Sequence, residues 1–232
     1  SHVLDDDAGP VAVGLIARRG RRARLAAFAV AVRMRGRGIA RPALDRLMGE
    51  SEVRGDTTFE LEVFEHNLPA LRLYERAGFA AVDRLLGFEF DPARDEASVS
   101  GANAPELQQR PIAELAALLA ADSESGLPWQ LEADTVSRIA APWQVVGNGR
   151  ALALVDLSRP DAVHLRLMVT PRPLRRAGHA RSLLAAIHSR AAGRPIRVPQ
   201  LIPERNVAVA RALGFAPAEH GQLRMVRSNP RA

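Results

Sequence analysis

"VRMRGRGIARPALDRLM", residues 32–48, sets Arg33, Arg35 and Arg37, with Gly36 and Gly38, directly ahead of a helix-like apolar pattern. Ile39, Ala43, Leu44 and Leu47 recur at nearly helical spacing. Pro42 falls in the first turn, where its missing N–H removes no helical bond. The first turn of a helix carries backbone N–H groups without intrahelical partners and the positive end of the helix dipole, so an anion is stabilised there. Glycines let that anion reach the backbone. A phosphate is the first candidate, but a short glycine-rich match occurs in many chains, so its meaning depends on what surrounds it.

What surrounds it is a repeat. "RGRGIA" from Arg35 has the anchors Arg-x-x-Gly-x-Ala, and "RRAGHA" from Arg175 has the same three. After the second, Ala180, Leu183, Leu184 and Ile187 follow helical spacing. Strand-like stretches precede each motif: "PVAVGLIA" and "ARLAAFAVAV" around the turn "RRGRR", then "WQVV", "RALALVDL" and "AVHLRLMV" around "GNG" and "SRPD". Each motif helix is followed by a strand, "TTFELEVF" or "PIRVPQLI". Each then has a short helix closing on Gly-Phe, at Gly78-Phe79 or Gly214-Phe215, and a last strand, "AAVDRLLGFEF" or "GQLRMVR". The same signals in the same order point to an internal duplication. The polar, turn-rich "DPARDEASVSGANAPE", residues 91–106, reads as the linker. The second half has room for two helices before its strands, around "PIAELAALLAA" and "LEADTVSRIAA". The first half begins almost at a strand, "SHVL", so it is either truncated at its start or a minimal variant.

Composition narrows the function. The 232 residues, 47% hydrophobic and 25% charged, suit one large or two small globular domains. No run of about 18 apolar residues occurs, so no membrane span or membrane partner is expected. The start lacks a basic region followed by an apolar one, and there is no cysteine, which favours the cytoplasm and excludes a thiolate nucleophile. The net charge of +6 comes entirely from arginine, since lysine is absent. Those arginines are scattered and aromatics make up only 4%, which ranks nucleic-acid binding below small-molecule chemistry. None of the histidines clusters with acidic residues at metal-ligand spacing, so no metal is expected.

With "FAVAVRMRGRGIA" followed by "LEVFEHNLPALRLYERAGF", the chain resembles the GNAT superfamily of N-acetyltransferases in a tandem arrangement. The resemblance covers nearly the whole chain and is sharper in the first half. It implies an α/β (α+β) fold of two tandem domains, 1–92 and 103–232, each a mixed twisted sheet flanked by helices, the first without its N-terminal strand and helices. It also implies transfer of acetyl from acetyl-CoA directly to an amine of a small-molecule or peptide acceptor. Arg35, Gly36, Arg37, Gly38, Ile39 and Ala40 would form the turn that cradles the pyrophosphate. Val30 and Val32, at the end of the preceding strand, would offer main-chain groups to the pantetheine arm and thioester. Asn67 stands where the family contacts the cofactor, and it is equally a favoured N-cap. Tyr74, the single tyrosine, falls where the family places its general acid, and it also suits an aromatic anchor on the helix packing face.

Glu60 and Glu62 share one face of their strand and read as exposed carboxylates, with Glu62 a possible base acting through water. His66 reads as a surface residue. In the second half Ala210 stands at the position of Tyr74 and Pro203 at that of Asn67, while Pro171 and Pro173 crowd the loop, so the active site is expected in the first half. Two other readings stay open: a non-catalytic acyl-CoA-binding or regulatory module, and, ranked lower, a nucleic-acid binder.

Overall fold

The computed structural model describes residues 2–90, 106–122 and 126–229. The chain forms two compact units, Ser1–Arg84 with His220–Ala232, and Leu85–Glu219. The linker segment at 91–105 lies outside the described residues.

The first unit opens with strands β1 (His2–Asp6), β2 (Gly9–Arg19) and β3 (Arg22–Val30). A single 3-10 turn, Val32–Met34, leads to α1 (Ala40–Val53), β4 (Thr58–Phe64), α2 (Leu68–Arg76) and the start of β5 (Ala80–Phe90). Its sheet order is β1-β2-β3-β4, completed by β12 (Gln222–Ser228), which pairs antiparallel with β4 from Gln222↔Phe64 to Ser228↔Thr58. The last strand of the chain therefore belongs with the first unit, which differs from a division into consecutive halves. Alternation along β4 puts Phe59, Leu61 and Val63 on one face. There they pack with Ala23, Leu25 and Met225 against Leu44, Leu47 and Met48 of α1, Tyr74 of α2 and Ala77 at its C-terminal cap.

The second unit takes the remainder of β5 and adds β6 (Gln108–Arg110), α3 (Ile112–Asp122), α4 (Ala133–Val136), β7 (Gln144–Gly147), β8 (Leu152–Asp156) and β9 (Val163–Val169). A 3-10 turn, Arg172–Leu174, precedes α5 (His179–Ala191), β10 (Ile196–Pro203), α6 (Val207–Ala212) and β11 (Ala216–Pro217). The order β5-β10-β9-β8-β7-β6 makes a mixed sheet. Leu183, Leu184 and Ile187 of α5 cover one face, and Leu115, Leu131 and Val136 from α3, the turn after it and α4 cover the other. The helix expected around "LEADTVSRIAA" is only the four-residue α4, preceded by a 3-10 turn at Trp129–Leu131. Among the described residues no helix is long and apolar enough to cross a membrane.

Gly-Phe is a helix stop in both units. Past α2, Gly78 N–H donates to the Glu75 carbonyl at 2.9 Å and Phe79 N–H to the Tyr74 carbonyl at 3.0 Å, with Gly78 at φ +86°. This pair of bonds is the Schellman arrangement, and the Phe79 ring meets the Tyr74 ring at 5.9 Å to complete its apolar contact. Past α6, Gly214 and Phe215 bond to Arg211 and Ala210 in the same way.

Candidate active site

The site grows out of a strand pair that separates. In the first unit β3 runs parallel to β4 only from Arg22↔Thr58 to Leu25↔Leu61. The next residue, Ala26, is the extra residue of a bulge, because Leu15 pairs with Ala27 and Ile16 with Leu25. A bulge bends its strand. Beyond it β3 continues to Val30 and β4 to Phe64 without pairing, which leaves their facing main-chain groups to another partner. The second unit repeats the device: β9 meets β10 only at Val163↔Ile196 and His164↔Arg197, and Arg166 is its bulge residue.

The loop between β3 and α1 lies at the open end of this cleft. Gly36 and Gly38 sit at φ +75° and +78°, a left-handed backbone that side chains disfavour, and a Cβ on either would meet nothing within 4 Å. Among the described residues, the backbone N–H groups of Gly36, Gly38, Ile39 and Ala40 have no hydrogen-bond partner. Arg33 is spent elsewhere: its guanidinium holds Asp6 at 2.8 and 2.9 Å and the Gly9 carbonyl at 2.9 Å, tying the turn to the β1–β2 hairpin. Arg35 donates from Nε to the Val30 carbonyl at 3.4 Å. No carboxylate among the described residues pairs with Arg35 or Arg37. Val30 ends β3 as expected, whereas Val32 is not in the strand. It opens the 3-10 turn and is 76% exposed.

The cleft's other wall is β4 and the start of α2. Asn67 caps α2, its side-chain oxygen accepting from Ala70 N–H at 3.3 Å. Tyr74 is buried on α2, and burial raises its phenol above the ordinary value near 10. No hydrogen bond to its hydroxyl is found among the described residues. The two glutamates of β4 are not solvent carboxylates. Glu62 takes Nε and Nη2 of Arg24 at 2.9 and 2.5 Å, and Glu60 takes Arg22 at 2.8 Å with Arg224 at 3.6 Å. Sequence reading missed these pairs because the arginines stand on neighbouring strands, 38 residues away for Arg22 and Arg24. His66 stacks on Phe64 and lies 4.6 Å from the His220 ring. Beside it, Arg84 holds the Glu65 carboxyl below its usual range. Among the described residues no group of three histidine or acidic side chains converges as a metal site.

Loop for loop, the second unit is built alike. Arg175 Nε donates to Thr170 carbonyl at 3.0 Å as Arg35 does to Val30, and Arg181 reaches the Ala212 carbonyl at 2.7 Å as Arg41 reaches Arg76 at 2.8 Å. Gly178 lies at φ +79°, and Arg176, in the place of Gly36, is held at φ +64°. Pro171 and Pro173 do not distort the approach: the 3-10 turn they flank and enter has the form that Val32–Met34 adopts without proline. Asn206, a turn beyond the position of Asn67, makes no side-chain cap.

Residues 2–79, which hold the splayed strand pair and the glycine-bearing loop ahead of α1, match the sequence model described as the Acetyltransferase (GNAT) family. That match lies within the first unit, and over nearly its whole length the chain is similar in fold to solved GNAT proteins, one of them a tandem protein. It is similar in fold to a tandem GNAT protein from the clavulanic acid biosynthesis pathway, with 15% identity over 97% of this chain and 81% of that one and a TM-score of 0.68. A GCN5-related N-acetyltransferase from Sphaerobacter thermophilus gives 17% identity, 96% and 78% coverage and a TM-score of 0.62. One from Kribbella flavida gives 19%, 96%, 58% and 0.64. Curated protein sequences provide no match. The family match in the first unit supports an acetyltransferase-type function.

Proposed function

We propose that the first unit is an N-acetyltransferase that binds acetyl-CoA at Arg35–Ala40 and passes the acetyl group directly to an amine. The observation that carries this reading is the open set of unpartnered N–H donors at Gly36, Gly38, Ile39 and Ala40, lying where β3 and β4 part. The residues fit the cosubstrate: an oxyanion can approach both glycines without meeting a side chain, and Arg35 and Arg37, which no described carboxylate pairs, can add charge-assisted bonds to phosphate. Main-chain groups of Val30 and of Val32 in its turn would hold the pantetheine arm, and Asn67 would add a polar contact from its capping position. When bound, acetyl-CoA supplies an acetyl group activated as a thioester.

Tyr74 keeps its proton at neutral pH, since burial raises its pKa, and its unengaged hydroxyl can donate to a departing sulfur. With no cysteine in the chain, no cysteinyl acyl carrier is available and transfer is direct. Glu60 and Glu62 are committed to arginines, so we assign no side-chain base. The acceptor then reacts as the neutral amine, and turnover rises with pH through the amine's own pKa.

The test is release of free thiol from acetyl-CoA across a panel of small amines and peptides. Turnover that survives Tyr74→Phe unchanged would remove the acid from the scheme. A second reading, a module that binds acyl-CoA without turnover, draws support from the same arginine-bound glutamates. CoA binding with no thiol release over the whole panel would select it.

A further inference from the structure

The two loops share a backbone but not a charge balance. Arg175 stands where Arg35 does, and Arg172 where Val32 does. Both second-unit guanidinium groups converge on Asp122, the last residue of α3. Arg172 donates from Nε to Asp122 Oδ1 at 2.5 Å and from Nη2 to its carbonyl at 2.6 Å, and Arg175 Nη2 donates to Oδ2. The Asp122 side chain is only 15% exposed, held between arginines that are 66% and 45% exposed. A carboxylate and a phosphate oxygen compete for the same guanidinium fork. In the first unit no described carboxylate does this to Arg35.

The other end of the second cleft differs as well. At the bulge, where the first unit has Ala26, the second has Arg166, whose guanidinium lies 5.5 Å from the Trp143 ring centre and donates to the Gln130 carbonyl at 3.3 Å.

We propose that Asp122 is a built-in counter-anion, engaging the arginines that would otherwise meet a nucleotide phosphate and so confining CoA to the first unit. This rests on the reading of the first loop given above, and it turns the second unit from a worn copy into one closed by a specific contact. Selectivity between the loops then comes from an occupant that excludes the ligand, not from loss of the loop.

CoA is titrated calorimetrically at low salt into the full chain and into Asp122→Ala, Asp122→Asn, Gly38→Val and the Gly38→Val/Asp122→Ala double variant, with melting curves confirming folding. The expected result is one site per chain in the unaltered protein and a second, weaker site in Asp122→Ala. That second site should persist in the double variant and be lost again on adding Arg175→Ala. Asp122→Asn keeps the shape and removes the charge, so it should also reveal the site if Asp122→Ala fails to fold. A folded Asp122→Ala and Asp122→Asn that bind no more CoA than the unaltered chain overturn the counter-anion. Binding absent from the unaltered chain but present in the double variant would instead sink the first-loop reading and keep this one.

Discussion

Valine at position 38 tests the loop at its most constrained point. Gly38 lies at φ +78°, and a Cβ there would point into open space, so the substitution creates strain without a clash inside the protein. Holding an L residue in the left-handed region costs about 1–2 kcal/mol, with a β-branched one at the upper end. If the free loop relaxes out of that region and binding must restore it, the strain appears as lost affinity. At about 1.4 kcal/mol per decade, that is roughly a 5- to 30-fold weaker CoA complex before any steric loss against the ligand. Gly178, at φ +79° and also with open space at its Cβ, is a matched control. Gly178→Val should lower stability by a similar amount and leave CoA affinity within about twofold, a difference of roughly 0.4 kcal/mol. Calorimetric titration with CoA, alongside melting curves of both variants, reads the two effects separately. Unchanged affinity in Gly38→Val with lost affinity in Gly178→Val would refute the assignment of the site to the first loop.

Tyr74→Phe keeps the ring contact with Phe79 and deletes a hydroxyl without a described partner. Its unfolding free energy should stay within about 0.5 kcal/mol, while turnover on an established acceptor should fall by about 100-fold or more. Glu65→Gln removes a carboxyl that Arg84 holds below its usual range. Such a group contributes stability that is present above the unfolded pKa and lost as pH falls through the folded one, so the variant should flatten the acid limb of melting temperature against pH. An unaltered acid limb would show that the pair contributes nothing measurable. Arg176→Gly relieves a non-glycine residue at φ +64° and should raise stability by up to about 1 kcal/mol, read as a higher melting temperature. A lower one would mean that the arginine side chain has a stabilising contact outweighing its strain.

What could be read from the sequence was written in local chemistry. The glycines of the loop need a left-handed backbone, Asn67 needs only the next turn of chain to cap, and Gly78-Phe79 and Gly214-Phe215 stop their helices through bonds spanning five residues. The duplication was visible because these signals recur in order. The missed features join distant parts of the chain. Arg22 and Arg24 reach Glu60 and Glu62 across a parallel strand pair, so two residues that alternate like a solvent face carry ion pairs instead. β12 pairs with β4 from more than half the chain away, and no periodicity within β12 names its partner. Asp122 lies 53 residues before Arg175, in a helix whose own pattern gives no hint of the loop it meets. Val32 was misplaced for a smaller reason: apolar alternation continues past Val30, while the backbone has already turned at Ala31.

Hydrogen exchange of the intact chain with and without saturating CoA tests the central claim most directly, because it reads the backbone N–H groups on which the site is built. Occupation of the first loop by phosphate should slow exchange at Gly36, Gly38, Ile39 and Ala40, whose amides have no described partner in the free protein, and leave Arg176–Ala180 unchanged. Protection at Arg176–Ala180 with none at Gly36–Ala40, or no protection at either loop in millimolar CoA, would contradict it.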